Sequence, residues 1–161
     1  QMSVSIIGAG PERQALLAQA ASLGVSNCIT FAGVVPAADM PDRISEADVF
    51  VLSSRSEGRP NVVVEALAGG VAVISTDLEG VQGMVCDGEN GWLISIDDVD
   101  ALSAALDHAA SDRAELARRS ARAQEFARAH LGTWADTARC YQRLFQQVLA
   151  SSGETRPTCA G

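Results

Sequence analysis

Two glutamates, Glu57 and Glu65, stand eight positions apart in the segment "SEGRPNVVVEALAGG", residues 56–70. Between them lie Gly58, Arg59, Pro60, Asn61 and three valines beginning at Val62. Carboxylates accept hydrogen bonds from hydroxyl groups. A helix that opens near Pro60 or Asn61 and closes at the two glycines fits the preference for Pro at the start and Gly at the end. The first N–H groups of such a helix have no partner within it and attract anions. Glu65 would sit about one turn inside. Two carboxylates would then flank a cluster of positive backbone dipoles. That pattern suits a ligand with hydroxyls at both ends and phosphates in the middle, a nucleotide-sugar. Spacing alone favours a blander view, with Glu57 an ordinary loop acid and Glu65 a solvated helix residue. The apolar surroundings of Glu65 favour the functional view, because a half-buried carboxylate needs a partner.

These residues need a frame to position them. "SVSIIGAG" reads as a buried strand running into a glycine turn that holds Gly8 and Gly10. "PERQALLAQAASLG" carries Leu16, Leu17, Ala20 and Leu23 at helical spacing and stops at Gly24. "NCITFAG" is a second strand, "ADMPDRISEA" a short helix started or interrupted at Pro41, and "DVFVLSS" a third strand apolar enough to be covered on both faces. "VAVIST" and "GWLIS" are the fourth and fifth strands. The remainder reads as helical, with Asp97 or Asp98 as an N-cap candidate. The last helix, "TWADTARCYQRLFQQVLA", places Trp134, Ala138, Tyr141, Phe145 and Val148 on one stripe, expected to pack on the core. Residues 1–150 are expected to form one Rossmann-like α/β domain, a parallel sheet with helices on both faces, and residues 151–161 a disordered tail.

In open sheets of this class ligands bind beyond the carboxyl ends of the strands. Glu57 falls there, in the loop after the third strand. "GAGPER", after the first strand, is half of a dinucleotide fingerprint. Arg13 stands where the third glycine belongs, and no acid closes the second strand to hold a ribose, so it reads as a plain tight turn. "TDLEGVQGMVCDGENG", after the fourth strand, reads as a flexible loop lining the same crevice.

Bulk composition bounds the rest. A chain of 161 residues, 47% apolar, can build one sizeable core, and with only 4% aromatics that core must be aliphatic. The net charge of -8 argues against a nucleic-acid partner. All twelve cations are arginines, and eight of them fall in residues 112–161. Without lysine there is neither a phosphate-binding G-x-x-x-x-G-K-[ST] loop nor the Tyr-x-x-x-Lys pair of a nucleotide-sugar epimerase. Cys28, Cys86, Cys140 and Cys159 form no C-x-x-C pair and are read as thiols in a reducing compartment. No apolar run is long enough for a transmembrane segment. The first residues run straight into a strand pattern, so no signal peptide is expected.

"SSRSEGRPNVVVEALAGGVAVISTDLEG" resembles the signature region of retaining glycosyltransferases of the GT-B type, family four, whose Glu-x7-Glu motif is matched by Glu57 and Glu65. "VSIIGAGPER", "ITFAGVV", "ADVFVLSS" and "DGENGWLISIDDVDALSAAL" are similar to further segments of that family in the same order, so the resemblance covers about residues 3–150. It implies the carboxy-terminal, donor-binding half of a two-domain enzyme. Glu57 would then contact hydroxyls of the transferred sugar, the catalytic position, and Glu65 the ribose. The backbone of Gly58, Arg59, Pro60, Asn61 and Val62 would hold the diphosphate and sugar. Val35 would lie near the base, and Gly8 and Gly10 on the nucleotide side of the cleft. The resemblance implies a UDP-, GDP- or ADP-sugar as donor, no separate cofactor, no essential metal and no protein nucleophile, the donor phosphate helping to deprotonate the acceptor. It implies bacterial polysaccharide biosynthesis in the cytoplasm, with peripheral attachment to the inner face of the membrane left open.

The chain also departs from the pattern. Gly83 stands where the family's Gly-Gly-x-x-Glu has its glutamate, and Arg59 where an apolar or aromatic residue is common. The family's first strand, its cationic Arg and Lys loop and the following helix precede the segment that opens this chain. The acceptor-binding domain is absent too. Loss of a mid-sheet strand is expected to disturb the sheet unless strands re-pair or another chain supplies one. Turnover by this chain alone is not expected. The alternative is a non-catalytic α/β interaction module that pairs with another chain through its sheet edge, with a homo-oligomer left open.

Overall fold

The computed structural model describes residues 2–151. Five strands and six helices follow one another as β1 (Val4–Ile7), α1 (Arg13–Ser22), β2 (Ile29–Gly33), α2 (Met40–Ser45), β3 (Val49–Leu52), α3 (Asn61–Ala68), β4 (Ala72–Thr76), β5 (Gly91–Ile94), α4 (Val99–Ser111), α5 (Arg113–His130) and α6 (Trp134–Ser151). Every strand pairing is parallel. The α/β class and the element order expected from the sequence are those observed.

The strands form two open sheets. β1 pairs with β2 in register Val4 to Ile29, with an irregularity between Ile6 and Ile7. β3, β4 and β5 form a second sheet in that order. No pairing joins the two sheets among the described residues, and the break falls between the β1–β2 unit and β3. The halves differ in burial. All five residues of β4 are buried, as a central parallel strand requires. In the first unit Met2, Val4, Leu16, Leu23 and Val34 remain exposed, and in α1 only Ala20 is buried.

Alternation along β4 divides the core. Ala72 and Ile74 pack with Trp92 and Ile94 of β5, with Ala105 and Ala109 of α4, and with Leu116 at the start of α5. Val73, on the opposite face, joins Val63, Ala66 and Leu67 of α3, Ile44 of α2, and Ala123 and Ala127 of the later turns of α5. Helices therefore cover both faces, and α5 passes from one to the other. At the crossing Arg119 is buried. Its guanidinium donates to the Gly91 carbonyl and to Glu115 Oε1 (2.8 Å), and lies 4.0 Å from the centroid of the Trp92 ring. A Cβ on Gly91 would come within 2.2 Å of the Val73 carbonyl oxygen, so only glycine lets β5 lie this close to β4.

Two expectations are corrected. The segment after β4 is not a flexible loop: Leu78, Val81, Met84 and Val85 are buried in the core. Their spacing of three, three and one is that of a tight helical coil, in which the amides of Val81 and Met84 donate to carbonyls three residues back. The glycines and acids between them masked that pattern. On the α6 stripe Tyr141, Phe145 and Val148 are exposed and not packed on the core, with Tyr141 and Phe145 stacked on each other. Helical periodicity records an apolar face but not what covers it. The tail read over residues 151–161 lies outside the described residues from 152 onward. Cys86 and Cys140 are free thiols, whereas the Cys28 thiol donates to Asn27 Oδ1.

Candidate functional site

α3 begins at Asn61 with Pro60 as its N-cap. Proline has no side-chain acceptor, and none of the neighbouring side chains caps the helix. The Val63 amide turns back to the Pro60 carbonyl (3.1 Å). The N–H groups of Asn61 and Val62 thus open outward at the positive end of the helix dipole. Pro60 is buried and fixes where the loop ends, whereas Asn61 is exposed. Three consecutive valines form a helix here although they are poor helix formers, because Val63 is fully buried against the core.

Glu65 lies one turn into this helix and is half-buried. Its Oε2 is shielded from solvent and has no hydrogen-bond partner among the described residues. A shielded carboxylate oxygen without a partner is costly, so its position asks for a donor from outside the described protein groups.

Glu57 sits in the β3–α3 loop, half-buried, and accepts a hydrogen bond from Ser54 Oγ at 2.7 Å. The carbonyl of Ser54 in turn accepts from the hydroxyl of Thr76, the buried last residue of β4, at 2.6 Å. On the other side Gly80 presses on the loop. A Cβ there would lie 2.1 Å from the Gly58 carbonyl oxygen and 2.5 Å from that of Glu57. One residue beyond Ser54, Arg55 donates through Nε to both oxygens of Asp97 (2.9 and 3.2 Å) in the loop after β5. The loop is therefore held from three directions. Arg59 is exposed and makes no ion pair among the described residues.

The remaining candidates lie on the other sheet. Gly8 and Gly10 follow β1, and Val35 follows β2, so all three stand at carboxyl ends as the sequence implied. The Gly8 amide extends the β1–β2 pairing to the Gly33 carbonyl (2.8 Å), and its φ of 138° suits glycine. Gly8 and Gly10 face open space, and Val35 is half-buried. Among the described residues no hydrogen bond or ion pair ties these three to the Glu57–Glu65 segment. The structure thus gathers Glu57, Gly58, Pro60, Asn61, Val62 and Glu65 on one loop and helix start, and leaves Gly8, Gly10 and Val35 as a separate group.

Ser54, Thr76, Gly80 and the Arg55–Asp97 pair were not found from the sequence. Thr76, closing a buried and mostly apolar strand, carried a weak signal. Nothing in the sequence pairs Arg55 with a residue 42 positions away. Of the two histidines, His108 accepts at Nδ1 from Trp92 Nε1 (3.4 Å), and His130 packs on the Phe126 ring. Among the described residues no three His, Cys, Asp or Glu side chains group to hold a metal ion, and no helix is long and apolar enough to cross a membrane. A shallow hollow of about 220 Å³, lined by Ser45, Asp48, Gly70, Arg113 and Ser120, lies at the amino ends of β3 and β4, away from this site.

Residues 1–126 match the family described as "Glycosyl transferases group 1". The chain is 37% identical over 120 residues to the lipopolysaccharide core biosynthesis glycosyltransferase LpsE of Rhizobium meliloti; the match takes in 74% of this chain and 35% of the relative. Sucrose-phosphate synthase from Thermosynechococcus elongatus superposes with a TM-score of 0.80 at 26% identity, over 92% of this chain and 39% of that one. HepE of Anabaena, solved in complex with UDP-glucose, shares the fold with a TM-score of 0.80 at 22% identity, over 91% of this chain and 41% of that one. This chain thus spans 35–41% of the length of these proteins.

Proposed function

The chain belongs to the glycosyl transferases group 1 family, and from that premise we propose that it is the donor-binding part of a retaining glycosyltransferase. The observation that carries this reading is the shielded, partnerless Oε2 of Glu65, one turn inside a helix whose first amides are uncapped. A ribose hydroxyl supplies the donor that this oxygen lacks. A diphosphate supplies the negative charge that the amides of Asn61 and Val62 attract. Glu57, already oriented by Ser54, keeps a second oxygen for hydroxyls of the transferred sugar. Gly58, Arg59 and Pro60 shape the path between the two acids. Val35 lies toward the base, with Gly8 and Gly10 on the nucleotide side.

In this reading the chemistry belongs to the donor. The leaving diphosphate helps to deprotonate the acceptor, the sugar is transferred with retention, and the protein orients and desolvates the reacting groups. The part of the reaction that this chain serves is the recognition of the donor; its match covers 35% of the Rhizobium relative. The name of the Rhizobium relative points to bacterial cell-surface polysaccharide as the product class, made in the cytoplasm where nucleotide-sugars are held.

A second reading rests on the divided sheet. Val4 on β1 and Val51 on β3 are exposed apolar residues on strands that, among the described residues, each have only one paired edge. A module that pairs with another chain, or with a second copy of itself, would cover them. Titration calorimetry separates the two readings, with UDP, GDP, ADP and a sugar derivative of each as ligands. Heat of binding for at least one nucleotide, enhanced by its sugar, is expected. No heat at millimolar ligand, together with a concentration-dependent dimer, would favour the interaction module.

A further inference from the structure

The Glu57 loop is held by two part-buried contacts, from Thr76 and from Gly80, and by one exposed contact, from Asp97. The exposed one is the least explained by folding. Its side chains are 78% and 63% accessible, and pairs so exposed add little to stability. Yet Arg55 engages both oxygens of Asp97, and Asp97 is the one non-glycine among the described residues with positive φ, at 62°. That left-handed conformation is unfavourable for most side chains and tolerable for Asp. The anchor behind it is rigid. Asp98, the next residue, caps α4 by accepting from the Ala101 amide at 2.8 Å.

Because the strand order is β3-β4-β5, a bond from the loop after β3 to the loop after β5 passes over the carboxyl end of β4. There Thr76 grips the root of the same loop. Arg55 lies between Ser54, which orients Glu57, and Glu57 itself. A tether at this point sets how far the loop can swing from the start of α3, and hence the separation of Glu57 from the amides of Asn61 and Val62.

We propose that Arg55 and Asp97 are positioning residues that hold the Glu57 loop at the sugar end of the donor. The proposal rests on the donor-binding reading given above. It makes the pair matter for the sugar rather than for the nucleotide, since Glu65 and α3 are untouched by it.

The test uses the intact protein and the variants Arg55→Ala, Arg55→Lys and Asp97→Asn; Asn keeps the tolerance for positive φ and removes the charge. The ligands are UDP with UDP-glucose, GDP with GDP-mannose, and ADP with ADP-glucose. For the pair that the wild type binds, Arg55→Ala and Asp97→Asn should weaken the nucleotide-sugar about fivefold and the bare nucleotide less than twofold. Arg55→Lys should recover part of the loss. Without ligand, hydrogen exchange at amides 54–58 should quicken severalfold in Arg55→Ala, while β4 and the melting temperature stay as in the wild type. Unchanged exchange at 54–58, or equal weakening of nucleotide and nucleotide-sugar, would overturn the positioning role while leaving the donor reading intact. A wild type that binds none of the ligands would overturn the donor reading, and this proposal with it.

Discussion

Replacing Glu65 by Gln separates a carboxylate kept for a ligand from one kept for the fold. Oε2 of Glu65 is shielded and partnerless. A buried acceptor in that condition costs about 1–3 kcal/mol, and a hydrogen bond from a ligand hydroxyl to a charged acceptor returns about 1.5–3 kcal/mol. Glutamine keeps the length and one acceptor but loses the charge. Nucleotide affinity should therefore fall by about 2 kcal/mol, roughly thirtyfold. The free protein should melt at the same temperature or slightly higher, because the variant no longer confines an unpaired charge. Calorimetric titration with the best-bound nucleoside diphosphate, paired with thermal denaturation without ligand, gives both numbers. An affinity within twofold of the wild type would refute the ribose role. A melting temperature several degrees lower would refute the premise that the carboxylate has no structural partner.

Three further outcomes follow from neighbouring contacts. Gly80→Ala puts a methyl group 2.1 Å from the Gly58 carbonyl oxygen, well inside contact distance; the loop must retreat, and both nucleotide-sugar affinity and melting temperature should fall, so a variant unchanged in both would show that the close approach is dispensable. Arg119→Lys loses the planar fork that serves Gly91 and Glu115 and lies over Trp92, and should cost about 3 kcal/mol in chemical denaturation; a cost below about 1 kcal/mol would mean a lysine ammonium can replace it. The pH dependence has a definite sign: hydrogen bonds from Arg118 and then Arg119, opposed by burial, hold the Glu115 carboxyl down from its usual 4.5 to about 2. A carboxyl lowered by folding contributes stability that is complete above the usual value and is lost as pH falls toward the folded one. Denaturation midpoints should therefore decline between pH 4.5 and 2, and Glu115→Gln should flatten that decline; equal slopes in the two proteins would contradict it.

Much of the fold was legible because each strand is short, apolar and bounded by glycine or an acid, and each helix carries a start or stop signal. β4 is the clearest case: "VAVIST" reads as a strand, and Ala72–Thr76 is one, buried throughout, whereas the third strand, expected to be covered on both faces, leaves Val51 exposed. Where the residues alone fell short, long-range packing decided the outcome. Leu78, Val81, Met84 and Val85 enter the core although glycines and acids surround them. The apolar stripe of α6 stays open although its periodicity is stronger than that of α1. For the site, the helix start at Pro60 and the position of Glu65 were readable from end signals and spacing. The grip of Thr76 on Ser54 and the bridge from Arg55 to Asp97 were not, since both depend on which strands become neighbours in the sheet.

The central claim is that the start of α3, between Glu57 and Glu65, receives the phosphates of a nucleotide-sugar. Amide-resolved NMR of the isotopically labelled protein, titrated with nucleoside diphosphate and then with the corresponding nucleotide-sugar, tests it most directly. The account predicts saturable shifts led by the amides of Asn61 and Val62, with Glu57 and Gly58 moving further once the sugar is present. Shifts centred instead on the hollow beside Arg113 and Ser120, or no shifts at α3 at saturating ligand, would contradict it.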